Sequence, residues 1–467
     1  MIILQPTLTL ADPHICSDQK DRLNIYTAIF DTLVRRDTTG KFVPQLAKSW
    51  QISADAQTWN FTLRDDVVFH NGDQLSADDV VASITRACDP VVGGEFGTEG
   101  VWASYIGDAT LKAIDANTFE MHLARPMADL YELLMAIPIM PKRILPKVPT
   151  IFVGSGPYKM GNFSADEVVL EPFEQSVVRQ PSAAEPLIFR AEPDEAKRLA
   201  AFKAGNLLVT GLSKLSAAGI VEQAVAHESN LCVAFLINCS SGPGTDKRIR
   251  QALNYGVDVQ AMIEAAHHGA ANRLSGPLTD LHFGCDPAVQ PYAYDPAKAR
   301  KLIEQAKADG FDGKLNIDIP MTLPNESPLL GEMVKSDLAK VGIDVTLHHY
   351  EDRPAYAHMV KAKDIHDVCC FDSSPLSTYR VLREKINSDV AGPWWQGYDN
   401  PAVNGLLDKA SQTVDDQARQ ALYHEAYGVM HDDAPWIFLY RPTIFFGIGS
   451  DAPKFTVSPE GLLRFEQ

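Results

Sequence analysis

Three kinds of side chain in this sequence could do chemistry by type and spacing: near-adjacent arginines, tandem tryptophans and adjacent histidines. Arg380 and Arg383 lie three apart, following Tyr379. A guanidinium can hold a carboxylate or phosphate through two parallel hydrogen bonds. The same spacing suits the solvated face of an amphipathic helix, and for Arg383 that is the preferred reading. Trp394-Trp395 could supply a flat wall for a sugar ring, a quaternary ammonium or a guanidinium. The alternative is one core and one partly exposed tryptophan, so only one is expected to touch a ligand. His267-His268 and His348-His349 are adjacent pairs, whose side chains point in different directions and rarely share one ion. His424 and His431 are two helical turns apart. Surface or internally satisfied histidines are expected, and no metal or cofactor is assigned.

Enzyme motifs are missing. GPGTDKR, starting at Gly242, lacks the Gly-Lys-Ser/Thr ending of a phosphate loop. Gly154-Ser155-Gly156 is too short for a nucleophile elbow, and H-E-x-x-H does not occur. Histidine and serine are plentiful, but no spacing joins them into a triad. The expectation is a protein that binds and performs no catalysis.

The net charge of −18 argues against a nucleic-acid or anionic-membrane surface, both of which select clustered Lys and Arg. A length of 467 residues suggests two or three lobes, and 45% apolar with 22% charged residues is ordinary for a globular chain. The most apolar run, WIFLYRPTIFFGIG, is broken by Arg441-Pro442 and falls short of a membrane span. The first fourteen residues lack a basic start, a long apolar stretch and a small-residue cleavage site, which taken alone reads as cytoplasmic. Seven cysteines occur without any C-x-x-C pair, so a zinc ribbon is not expected and the odd count leaves at least one thiol free.

The elements that must position these groups are legible locally. Residues 58–64 alternate, with Trp59, Phe61 and Leu63 on one face, as a half-buried strand does. Asn71-Gly72 is a turn dipeptide, since both residues tolerate positive φ. Ser76 caps a helix carrying Val80, Val81 and Ile84, and Asp79 stands at the capping-box position. Residues 118–123 alternate as a second strand. Asp295-Pro296 opens a helix that Gly310 ends, GEMVKSDLAKVG forms a helix ending at Gly342 before a strand at 343–347, and Asn400-Pro401 opens another.

These segments also carry a family resemblance. Pro44, Leu46, Ala47, Ser49 and Trp50, then Phe61, Leu63 and Arg64, then Val67, Phe69, His70, Asn71 and Gly72, then Ser76, Ala77, Asp79 and Val80 resemble an ordered block of the family 5 extracytoplasmic solute-binding proteins. GSGPYKM from Gly154, DKRIRQALNYGVD from Asp246, YDPAKARKLIEQA from Tyr294, LAKVGIDVTL from Leu338 and GYDNPAVNGLLDKA from Gly397 resemble further family blocks in order. Asn404 departs from the family's usual Asp.

The resemblance implies an α/β fold of the periplasmic-binding-protein-like type II, with two lobes around a ligand cleft and an additional subdomain on the first lobe. It implies a first lobe of residues 1–45, 150–235 and 433–467, an inserted subdomain at 46–149 and a second lobe at 236–432. It implies a periplasmic receptor, presumed to have lost a signal peptide, that delivers a small solute to ABC permease subunits and works as a monomer without nucleic acid. The solute class it suggests is amine-bearing: a short peptide, amino-acid derivative or opine-like conjugate. An oligosaccharide or sugar conjugate is the alternative, supported by the serine-rich loop and tandem tryptophans; a metal chelate or haem ranks third. By family position Asp372 would pair with the ligand's ammonium, since a carboxylate taken out of water needs a cation or donors. The residues alone also allow a turn Asp before Ser373-Ser374-Pro375. Ser373, Ser374, Tyr379, Arg380, Trp394 and Trp395 complete the expected loop. Asp12 and His14, with Glu95, Phe96 and Trp102 of a glycine-rich loop, are the contacts implied on the first lobe. A Cys232–Cys370 bridge is implied by the cysteine that some relatives carry two residues before that Asp.

Overall fold

The computed structural model describes the chain except residues 16, 17, 96, 97, 99, 206, 323, 324, 451, 453 and 467. The chain divides into two compact units, Met1–Glu228 with Ile444–Gln467, and Ser229–Thr443. Among the described residues no helix is long and apolar enough to cross a membrane. The apolar run containing Arg441-Pro442 is instead the strand Trp436–Ile448, its first eight residues in the second unit and the rest in the first.

In the first unit, strand Ile2–Gln5 lies parallel to Leu187–Ala191 on one side and to Leu208–Leu212 on the other. Glu167–Pro172 and then Tyr158–Phe163 extend this sheet antiparallel. Ile3, Phe189, Leu187, Leu208 and Tyr158 pack into one buried cluster with Ile25 and Ile29 of the helix Lys20–Ile29. A separate antiparallel sheet runs Ala47–Ile52, Thr58–Leu63, Thr118–His122, Thr110–Ala113.

That second sheet follows its local signals. Trp59, Phe61 and Leu63 are buried, and the residues between them are not. Ser76 and Asp79 form the full capping box of the helix Ala77–Ala87, each side chain accepting the other's backbone N–H. Of the turn pair only Gly72 takes positive φ, at 84°. Asn71 instead accepts from the Asp73 N–H through its side chain, at 3.1 Å, because the turn spans Phe69 to Asp73 rather than two residues.

In the second unit the strand order is Asp344–Tyr350, Lys314–Pro320, Val368–Ser373, Cys232–Ile237, then Trp436–Ile448, with Ala271–Arg273 also paired to the last. The first three are mutually parallel; the pairings of Cys232–Ile237 are antiparallel. Val233, Phe235 and Ile237 pack with Cys370 and with Ile303, Val334 and Leu253 from helices on one face. Cys232, Ala234 and Leu236 pack with Cys369, Phe371, Leu382, Leu407 and Tyr427 on the other. The helix Pro296–Ala308 is capped by Asp295, which accepts from the Lys298 N–H. The helix expected over GEMVKSDLAKVG starts earlier, spanning Ser327–Lys340, because Pro328 sits in its first turn, where a missing N–H costs nothing.

This two-faced sheet overturns the Cys232–Cys370 bridge. Cys370 lies opposite Phe235 and Cys232 opposite Ser373. With side chains alternating along a strand, the two thiols fall on opposite faces and join different cores. Both are free and fully buried, and burial pushes the Cys232 thiol up to about 12. Alkylation without reductant is therefore expected to label Cys232 and Cys370 only after unfolding, and a cross-linked Cys232–Cys370 peptide in the mass spectrum would contradict the register.

Candidate functional site

Parallel strands of an α/β sheet end in loops that helices do not cover, and ligands bind at those carboxyl ends. In the second unit three such ends carry charge. Asp372 is the penultimate residue of Val368–Ser373. Arg353 opens the helix Arg353–Lys361, just after Asp344–Tyr350. Glu326 stands at the N-cap of Ser327–Lys340, which follows Lys314–Pro320.

Strand register brings them together. Asp372 pairs with Val233, and Val233 pairs with Tyr440, so these residues form one row across three strands. Val233 and Tyr440 belong to the same buried cluster. The Tyr440 hydroxyl donates to Glu326 Oε1 at 3.3 Å, and His267 Nε2 lies 3.4 Å from the same oxygen. His267 stands edge-on to the Tyr440 ring, with centroids 4.9 Å apart. Arg353 Nη2 lies 3.5 Å from Asp372 Oδ1, with side chains 15% and 25% exposed, so both remain reachable from solvent.

Burial pushes the Asp372 carboxyl above its ordinary range; Arg353 pulls it down and Glu326 adds to the push. Glu326 goes the other way. Burial raises it, but His267, a backbone N–H and Tyr440 together bring it below its ordinary value. The two carboxylates thus bear on each other but are held at different proton affinities.

The other expected residues of this unit divide by face. Ser373 joins the opposite side, where its hydroxyl accepts from Lys385 Nζ at 2.6 Å. Lys385 also lies over the Phe371 ring, 5.4 Å from its centroid. The Ser374 carbonyl accepts from the Asn230 side chain. Tyr379 and Arg380 are buried on the helix Thr378–Lys385. Arg383 is not a solvated residue, since it is ion-paired to Asp408 at 2.5 Å with a side chain 12% exposed; the helix lies in a sheath of neighbours that leaves it no solvent face. Trp394 and Trp395 are both half-buried, rather than one core and one exposed. Trp394 packs on Phe371 with centroids 5.6 Å apart, and Trp395 Nε1 donates to the Tyr398 carbonyl at 2.6 Å, so each ring has its own anchor.

The residues expected in the first unit form a network of their own. Arg86 donates to both Asp12 oxygens, at 2.9 Å to Oδ1, and lies 3.1 Å from His14 Nδ1. His14 Nε2 is 2.8 Å from the Pro138 carbonyl, and Trp102 Nε1 donates to the His14 carbonyl at 3.1 Å. Glu95 is paired to Arg22 at 2.7 Å. Phe96 lies outside the described residues. Burial lowers the His14 imidazole to about 4, helped by Arg86, so it is neutral at pH 7. Burial raises Asp12, but Arg86 and the His14 N–H outweigh it and hold the carboxyl below its ordinary range. Among the described residues no three His, Cys, Asp or Glu side chains converge as metal ligands.

Arg353, Glu326 and Tyr440 escaped the sequence reading, and His267 was read only as a surface or internally satisfied histidine. One signal was available for two of them. Glu326-Ser327-Pro328 and Asp352-Arg353-Pro354 both place a charge beside a helix-starting proline, directly after a β-run. Tyr440 had none, since it reads as an ordinary residue of its element.

A model of the bacterial extracellular solute-binding proteins, family 5, matches residues 41–413 of this chain. The dipeptide-binding protein of Escherichia coli (strain K12) is 27% identical over 470 residues, covering 92% of this chain and 86% of that protein. Heme-binding protein A of Haemophilus influenzae is 25% identical over 456 residues, covering 90% and 83%. Among solved structures, the ABC transporter-associated periplasmic binding protein DppA of Helicobacter pylori, in complex with the peptide STSA, aligns with a TM-score of 0.79 at 22% identity, covering 100% of this chain and 98% of that one. At that identity the likeness speaks for the fold alone.

Proposed function

From the premise that this chain belongs to the bacterial extracellular solute-binding proteins, family 5, we propose that it captures a short peptide or amino-acid derivative with a free amine and hands it to an ABC import permease. The Asp372–Arg353 pair is the observation that carries this reading. Its partners are of opposite charge, part-exposed, and only loosely joined at 3.5 Å. A zwitterion can replace that contact with two better ones, its ammonium on Asp372 and its carboxylate on Arg353. Burial makes the exchange favourable, because a carboxylate short of donors gains most from a full cation. The similarity to a dipeptide-binding protein over most of both chains supports the same class. The tandem tryptophans, each held by a different neighbour, lend no support to a sugar wall.

Titration of purified protein with L-alanyl-L-alanine tests the proposal. A peptide present at a hundredfold excess over its dissociation constant is expected to stabilise the fold by about 2.7 kcal/mol, read as a raised unfolding midpoint. Absence of any shift with di- and tripeptides, alongside a shift with haem or nickel, would replace the peptide reading by one of those.

A further inference from the structure

We infer that Glu326 is a second carboxylate for the ligand's ammonium, so that the site grips the amine between Asp372 and Glu326; this rests on the peptide reading above. The local geometry points there first. Glu326 occupies the N-cap position of a fourteen-residue helix, where a side chain normally accepts a first-turn N–H, yet it makes no such bond. It is turned instead toward the sheet, where Tyr440 and His267 reach the same oxygen at 3.3 and 3.4 Å. Tyr440 is fully buried and stands in the row that contains Asp372. It therefore acts as the post that holds Glu326. Glu326 keeps 19% of its side chain exposed, comparable with Asp372 at 25%. A carboxylate anchored from below and open above can still accept further hydrogen bonds.

Charge completes the argument. Arg353 is the cation paired to Asp372, with Lys385 also bearing on it, while Glu326 has no Arg or Lys in contact among the ion pairs of the described residues and meets His267 and Tyr440 instead. When a ligand carboxylate engages Arg353, Asp372 loses part of its neutralisation and stands beside a second anion. An ammonium between the two carboxylates removes that repulsion and supplies at least two N–H donors. An N-acylated amine has one N–H and no charge, and fails on both counts.

Isothermal titration with L-alanyl-L-alanine and N-acetyl-L-alanyl-L-alanine, in wild type and Glu326→Gln, tests this. The wild type is expected to prefer the free amine at least a hundredfold. Glu326→Gln is expected to bind the free dipeptide at least tenfold more weakly. Its acid limb of binding should move to lower pH, because Asp372 no longer faces a second anion; a Glu326 that takes no part in holding the amine would leave the preference for the free over the N-acetylated dipeptide unchanged, whereas the proposal expects that preference to shrink. Tyr440→Phe, which keeps both carboxylates but removes the post, is expected to lose affinity severalfold and serves if the first variant fails to fold. Wild-type affinity and an unmoved acid limb in Glu326→Gln, while Asp372→Asn loses binding, would overturn the role of Glu326 and leave the peptide reading standing. No binding of the free dipeptide to wild type would remove both.

Discussion

Asp372→Asn is expected to weaken L-alanyl-L-alanine by at least about a hundredfold, roughly 2.7 kcal/mol, while leaving the ligand-free protein at least as stable as wild type. The affinity loss follows from removing the charge that an ammonium must meet in a partly desolvated site. The stability side follows from linkage. Burial holds the folded-state carboxyl of Asp372 above its ordinary value of 3.8. The folded protein therefore binds that proton more tightly than the unfolded chain, and ionisation works against folding. That cost is absent below pH 3.8 and grows as pH rises through the raised value. Asparagine removes it. Calorimetric unfolding at pH 7 and pH 3.5, beside titration with the dipeptide, checks both halves. A variant that loses binding only because it unfolds would show a lowered midpoint at pH 7 and refute the assignment.

Arg179→Ala is expected to cost about 3–5 kcal/mol of stability, because it strands buried charge in the first unit. Arg179 and Asp31 have side chains 5% and 0% exposed and meet at 2.7 Å. A second guanidinium nitrogen reaches Glu466 at 2.6 Å, and the third donates to the Phe30 carbonyl at 3.0 Å. Gln45 and Ser155 also donate to Asp31, at 2.7 and 2.8 Å. Removing Arg179 leaves two carboxylates without their shared cation. Glu466 adds a pH signature. Burial raises it, but Arg179, Arg464 and Arg35 outweigh burial and hold it below its ordinary value of 4.5. Its contribution is thus present above pH 4.5 and lost as pH falls through the lowered value. In Arg179→Ala that acid loss should begin at higher pH. Urea unfolding at pH 7 and pH 4 measures both effects, and Arg179→Ala with Asp31→Asn should recover part of the loss by removing one stranded charge. A cost below 1 kcal/mol would mean that the cluster is hydrated and not the buried ion network its geometry describes.

How far the chain was legible varied with the range of the interaction. The alternation of Trp59, Phe61 and Leu63 was read correctly because one strand's periodicity lies in consecutive residues. The Ser76–Asp79 capping box was read correctly because its partners lie three residues apart. Asn71 was half right: the turn is there, but its length depends on how Phe69 pairs with Asp73. Arg383 was misread because its partner Asp408 lies on another helix. The Cys232–Cys370 bridge failed for the same reason, since facing is set by register between two strands more than 130 residues apart.

By itself the sequence determined the local elements and their caps, and the ordered blocks from Pro44 to Ala410 that mark the family, because these depend on backbone sterics, side-chain periodicity and contacts a few residues long. It also singled out Asp372. Only the tertiary structure decided Asp372's company. Val233, His267, Glu326, Arg353 and Tyr440 come from separate elements, and they meet because one row of three strands and two carboxyl-end loops bring them to the same end of a sheet. No short-range rule encodes that meeting. It is set by strand order and register, which the burial of two cores enforces on the whole unit at once.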